Sequence, residues 1–109
     1  MKKIIDQDGT ICYYNDKSKL HREDGPAVEF ANGSKFWYKN GKRHREDGPA
    51  VEYASGEKHW IKNGKLHRED GSAIEFVDGR KYYCYNGIEY SNIKSDEEWK
   101  KFVKLIIFV

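Results

Sequence analysis

His21-Arg22-Glu23-Asp24-Gly25-Pro26-Ala27 returns as His44-Arg45-Glu46-Asp47-Gly48-Pro49-Ala50, and again as His67-Arg68-Glu69-Asp70-Gly71-Ser72-Ala73. The copies lie 23 residues apart, and the text between them is repeated too. Val28-Glu29-Phe30 becomes Val51-Glu52-Tyr53 and Ile74-Glu75-Phe76. Lys35-Phe36-Trp37-Tyr38-Lys39-Asn40-Gly41-Lys42 becomes Lys58-His59-Trp60-Ile61-Lys62-Asn63-Gly64-Lys65. A fixed period of this length marks a stack of small equivalent units, each burying its apolar face against the next. A motif in triplicate is a poor catalytic site, because catalysis asks for one asymmetric constellation.

Within each copy, two short alternating runs are separated by turn dipeptides. Ala27–Ala31 leads into Asn32-Gly33, and Lys35–Lys39 into Asn40-Gly41; Ser55-Gly56, Asn63-Gly64, Asp78-Gly79 and Asn86-Gly87 continue the series. Asn-Gly between alternating runs signals a two-residue hairpin turn, in which both turn residues take positive φ. Lys42–Gly48 turns the chain back, and Pro49 opens the next strand where a missing donor is tolerated. The N-terminal segment reads as a decayed first copy, with Lys3-Ile4-Ile5, the turn Asp8-Gly9, and Thr10–Tyr14. Its following turn, Asn15–Lys19, is one residue longer than in the other copies. Atypical end copies suit capping.

The chain changes character at Ser95-Asp96-Glu97-Glu98, a capping box whose acids favour the positive end of a helix. Trp99, Phe102, Val103 and Ile106 then follow at i, i+3, i+4 and i+7, one apolar stripe. These observations predict a mainly β protein: a single twisted antiparallel meander of 23-residue hairpin repeats with a C-terminal amphipathic α-helix over Asp96–Ile107. One domain spans 1–109, with repeats at about 3–19, 20–42, 43–65 and 66–90.

Two-residue turns would set Phe30 opposite Lys35, Glu29 opposite Phe36 and Val28 opposite Trp37. One face then carries Val28, Phe30 and Trp37 with their equivalents and forms the core. The other carries Glu29, Phe36, Tyr38, Glu52, His59, Glu75 and Tyr82, an amphipathic ledge open to a partner. Longer turns would exchange the two faces, since a strand's side chains alternate.

Composition narrows the function. The 109 residues carry a net charge of +2, with Lys/Arg and Asp/Glu interspersed, so no basic tail or stripe announces nucleic acid. Lysines alternating with aromatics resemble a single-strand stacking platform, but acidic residues line the same runs, and direct nucleic-acid binding is not expected. Met1-Lys2-Lys3 is followed by no secretion-signal core, so a cytoplasmic setting and reduced thiols are expected. The apolar run at Leu105–Val109 is too short to span a bilayer.

Copies of His21, His44 and His67 two strands apart are displaced by roughly 10 Å, too far for one ion to gather. No metal and no other cofactor is expected. Repeated Glu-Asp pairs offer equivalent shallow sites and no cleft, so an enzyme is not expected. Arg22, Arg45 and Arg68 read instead as a ladder pairing with neighbouring acids. Cys12 and Cys84 belong to the first and last copies, beyond the reach of a disulfide.

Asn40-Gly41-Lys42-Arg43-His44, then Gly48, and Tyr53-Ala54-Ser55-Gly56 resemble the MORN repeat, an aromatic-rich β-hairpin unit with an Asn-Gly-Lys-x-His-Gly core and a Tyr-Ala-Asp-Gly turn. The resemblance covers 20–87 well and 3–90 loosely. It departs at Arg45, where the family has glycine, and looks like the divergent His-Arg-Glu-Asp-Gly-Pro-Ala variant of phage, large-virus and bacterial proteins. The resemblance implies a non-enzymatic scaffold for protein contacts. With the small size and the Lys/Ile/Asn/Tyr-rich composition, it implies a phage-encoded inhibitor of a bacterial defence system, of the anti-CRISPR type, acting by stoichiometric binding in the host cytoplasm. A MORN-like antitoxin neutralising a toxin, a self-assembling scaffold using the sheet edge at Lys3–Ile5, and a nucleic-acid-binding sheet are the alternatives. The expected partner is a protein, either a CRISPR effector nuclease or a toxin, met by the ledge residues and by Arg22, Arg45 and Arg68. The chain itself is expected to be monomer or homodimer, without membrane insertion.

Overall fold

A computed structural model describes residues 1–107. The first copy is a hairpin of β1 (Lys2–Ile5) and β2 (Ile11–Tyr14). The second copy contributes β3 (Val28–Glu29), β4 (Lys35–Phe36), β5 (Tyr38–Lys39) and β6 (Lys42–Arg43). The third repeats it as β7 (Val51–Glu52), β8 (Lys58–His59), β9 (Ile61–Lys62) and β10 (Lys65–Leu66). The fourth holds β11 (Ile74–Glu75), a longer β12 (Lys81–Tyr85) and β13 (Ile88–Tyr90), and α1 (Asp96–Ile107) closes the chain.

Nine of these strands form one antiparallel sheet in the order β1-β2-β3-β4-β7-β8-β11-β12-β13, while β5–β6 and β9–β10 are separate hairpins. Each separate hairpin docks on the copy before it. The Gly41 amide donates to the Leu20 carbonyl at 2.8 Å, and Gly64 repeats the bond to Arg43. The core lies where hairpins meet sheet: Val28, Phe36, Ala50, Val51 and Ile61 are buried together, with Leu20, Tyr38 and Leu66 packed against them. The molecule is a slab of 45 × 31 × 18 Å.

The two Asn-Gly turns of a copy differ, and the difference sets the faces. Asn40 and Gly41 both take positive φ, 51° and 83°, and Lys39 pairs with Lys42, a two-residue turn as expected. At the other turn only Gly33 is positive, at 96°, and Phe30 bonds both Gly33 and Ser34. That loop holds three residues, not two. Val28 therefore faces Phe36, and Glu29 faces Lys35. The expected register is off by one, and the expected faces are corrected: Phe36, His59 and Tyr82 share the side of Val28, Val51 and Ile74, while Trp37 and Trp60 lie with the glutamates.

Helix α1 begins at the expected serine cap, with the return bond of the capping box made one residue earlier, to Lys94 in place of Ser95. Ser95 Oγ accepts from the Glu98 amide at 3.1 Å, and Glu98 Oε2 accepts from the Lys94 amide at 3.4 Å. Trp99 and Val103 are buried against Tyr83, with Tyr85, Tyr90, Ile93 and Phe102 around them. No helix among the described residues is long and apolar enough to cross a membrane.

Candidate functional site

Each His-Arg-Glu-Asp loop is built from one set of bonds. His21 Nδ1 accepts from the Asn40 amide at 3.0 Å, while Nε2 meets Glu23 at 2.9 Å. His44 does the same with Asn63 and Glu46, and His67 with Asn86 and Glu69. An accepting Nδ1 places the proton on Nε2 and makes the ring a neutral staple between loop and hairpin. Among the described residues, no three His, Cys, Asp or Glu side chains come together as a metal-holding group.

The arginines are equally committed. In Arg45, Nε donates to Asp47 at 3.1 Å, and Nη1 donates to the Pro49 carbonyl and to Glu52, both at 3.0 Å. Arg22 and Arg68 repeat the pattern with Asp24, Pro26 and Glu29, and with Asp70, Ser72 and Glu75. Each guanidinium carbon also lies over an aromatic ring: Arg22 over Tyr13 at 4.0 Å, Arg45 over Trp37 at 3.9 Å, Arg68 over Trp60 at 3.8 Å. A place over a ring combined with forked donation is a geometry that arginine alone among the cations supplies.

The fourth ring of this column is Tyr83, and the position that would bring its arginine is Ser91. Trp99 occupies the vacancy instead, its ring 5.5 Å from Tyr83. Its indole N–H donates to the Arg68 carbonyl at 2.8 Å. The helix thus closes the end of the column with a ring tilted 45° to Tyr83, where the other copies place a cation. Tyr83 Oη donates to Asp96 at 2.8 Å; burial, then that bond, push its hydroxyl up to about 12. The third loop, now covered, buries Ser72 where the other loops have Pro26 and Pro49.

Two equivalent clefts lie between successive loops. One, of about 600 Å³, is framed by Arg22, Asp24, Trp37, Lys39 and Glu46; the other, of about 700 Å³, by Arg45, Asp47, Trp60, Lys62 and Glu69. The arginines and acids of the clefts are those already joined in the loops, while Lys62 lies 3.8 Å from Glu46 and Lys39 stands outside those bonds. Cys12 and Cys84 are free thiols, and burial, then Glu89, raise the pKa of Cys84, keeping it protonated.

The expected ledge does not assemble. Glu29, Glu52 and Glu75 face the other side, half-buried under their arginines. Phe36 is buried, Tyr38 joins the core, and His59 bonds Glu57 at 2.7 Å. What the valine side presents instead is a band of rings in edge contact. Phe30 meets Phe36 at 5.0 Å, Phe36 meets Tyr53 at 5.7 Å, Tyr53 meets His59 at 5.4 Å, and Phe76 meets Tyr82 at 5.1 Å. Phe30, Tyr53 and Tyr82 are each 37% exposed and Val77 is 67% exposed, with Arg43 and Arg80 lying over Phe36 and Phe76. The two-residue-turn register places Phe30, Tyr53 and Phe76 in the core, and the three-residue loop leaves them in this band. The signal that finds them is the residue before the glycine: Asn32, Ser55 and Asp78 vary among side-chain acceptors, whereas Asn40, Asn63 and Asn86 never do. A variable acceptor suits the right-handed position of a type I turn; an unvarying Asn suits positive φ.

Comparison of the chain with protein-family models, curated proteins and solved structures gives no match.

Proposed function

We propose that this chain is a non-enzymatic protein-binding module, a MORN-like repeat scaffold that acts by stoichiometric contact. The carrying observation is the band of half-exposed rings on the valine side, Phe30, Tyr53, Phe76 and Tyr82 with Val77 beside them. Exposed aromatics rimmed by arginine are the composition of interface centres, where large rings contribute area at small entropic cost. The loops support the same reading from the other side, because their histidines and arginines are tied into internal bonds. They hold the repeats in register and leave recognition to the band. The partner class that follows from the sequence resemblance is a bacterial defence nuclease, with the chain a phage-encoded inhibitor of the anti-CRISPR type in the host cytoplasm.

The test is titration of the purified protein against CRISPR effector nucleases, with DNA cleavage and complex mass as readouts. Inhibition that saturates at one inhibitor per nuclease is expected. A Tyr53→Ser/Tyr82→Ser variant that melts within a few degrees of the parent should lose it. Capture of a toxin in place of a nuclease would move the chain to the antitoxin class on the same surface. Retention of nucleic acid alone, released by salt, would overturn protein binding.

A further inference from the structure

The outermost strand on the first-copy side, β1, pairs only with β2 among the described residues, and all four of its residues are exposed. Its main-chain polarity is fixed by its inner neighbour. The Asp6 amide donates inward to the Thr10 carbonyl at 2.8 Å, and Tyr13, opposite Lys3, turns its own amide away to Ala27. Antiparallel strands alternate, so Lys2, Ile4 and Asp6 bond inward while Lys3 and Ile5 direct N–H and C=O outward. Such an edge is a template for another strand.

We infer that this edge is a dimer interface, in which β1 of a second copy pairs antiparallel about a dyad at Ile4. A dyad normal to the sheet must place some residue opposite itself, because paired side chains point to the same face. Centred on Lys3 it sets two ammonium groups against each other, and centred on Ile5 it sets Ile4 against the carboxylate of Asp6. Centred on Ile4 every pair is compatible. Ile4 meets Ile4 of the second copy, Lys3 lays its stem along Ile5, and Lys2 faces Asp6. Lys3 and Ile5 are then the hydrogen-bonded pair, the same two residues whose outward groups await a partner. Main-chain polarity permits all three registers, charge and apolar contact select the one centred on Ile4, and two nine-stranded sheets become one continuous sheet.

Sedimentation equilibrium over a wide concentration range tests this. The wild-type chain should follow a monomer–dimer equilibrium, and hydrogen exchange at Lys3 and Ile5 should slow as the dimer forms. Lys3→Pro removes an outward donor that the fold does not use, so the monomer should keep its melting transition while the dimer Kd rises about tenfold or more. Asp6→Lys should also weaken the dimer, by setting two lysines face to face, and Lys2→Asp/Asp6→Lys should restore it. The charge swap decides the matter even if the proline variant unfolds. A monomer at every concentration, assemblies beyond the dimer, or a dimer indifferent to both Lys3→Pro and Asp6→Lys would overturn the inference.

Discussion

The glycine of each His-Arg-Glu-Asp-Gly loop makes room for the arginine of its own loop. Asp-Gly reads as a turn. Yet Gly25, Gly48 and Gly71 are not among the residues of positive φ, so backbone freedom is not what requires them. Space is. A Cβ on Gly48 would lie 2.9 Å from Cζ of Arg45, and one on Gly71 equally close to Arg68, whereas at Gly25 the gap to Arg22 is 3.2 Å. The arginine of each loop curls back over its own glycine before reaching its tryptophan or tyrosine, a path that no residue spacing reveals. Gly48→Ala should therefore displace a guanidinium and cost about 1–2 kcal/mol, with Arg45→Ala costing about as much. In the double variant the two losses should overlap instead of adding, because the clash vanishes with the side chain. Urea denaturation of the four proteins measures the coupling, and simple additivity would mean that Gly48 is needed for some other reason. Gly25→Ala, with more room, should cost less than Gly48→Ala.

Among elements, α1 was fully legible and its docking site was not. The acidic first turn, the serine cap and the stripe at i, i+3, i+4 and i+7 are local signals, and the helix spans Asp96–Ile107 as they require. That Trp99 completes a column of arginine-stacked rings depends on Tyr83 and Arg68 lying beside each other in the folded sheet, residues far apart in the chain. Truncating Trp99 to Ala should cost about 3–5 kcal/mol and remove most of the helical circular dichroism. The helix contact also carries a pH signature. Tyr83 ionises at about 12 in the folded protein against 10.0 for a free tyrosine, so folding favours its neutral form. The resulting stability is fully present below pH 10 and is lost as pH climbs towards 12. Ultraviolet titration should show late-ionising tyrosine, to which Tyr14 also contributes; the part near pH 12 should disappear in Tyr83→Phe, and that variant should lose less stability than the parent between those pH values.

The whole molecule is held by contacts between neighbouring copies, so its length is adjustable. Deleting residues 44–66 joins Arg43 to His67 and leaves every type of contact in place: Arg68 stacks on Trp37, and Phe36 pairs with Ile74. The shortened chain should fold cooperatively, melt at a lower temperature, and lose roughly 10 Å of its long dimension, the width of two strands. Small-angle scattering and thermal denaturation check this, and a chain that failed to fold would show that the copies are not interchangeable. The sequence by itself determined the repeat, the antiparallel β class, the capping helix and the arginine–acid ladder, because each rests on residues near one another along the chain. Only the tertiary structure decided which rings are buried and which are exposed. The physical reason is one residue in one turn: a three-residue loop after Phe30 in place of two moves Phe36 to the valine side and Trp37 to the arginines. A strand's alternation converts that single step into an exchange of faces.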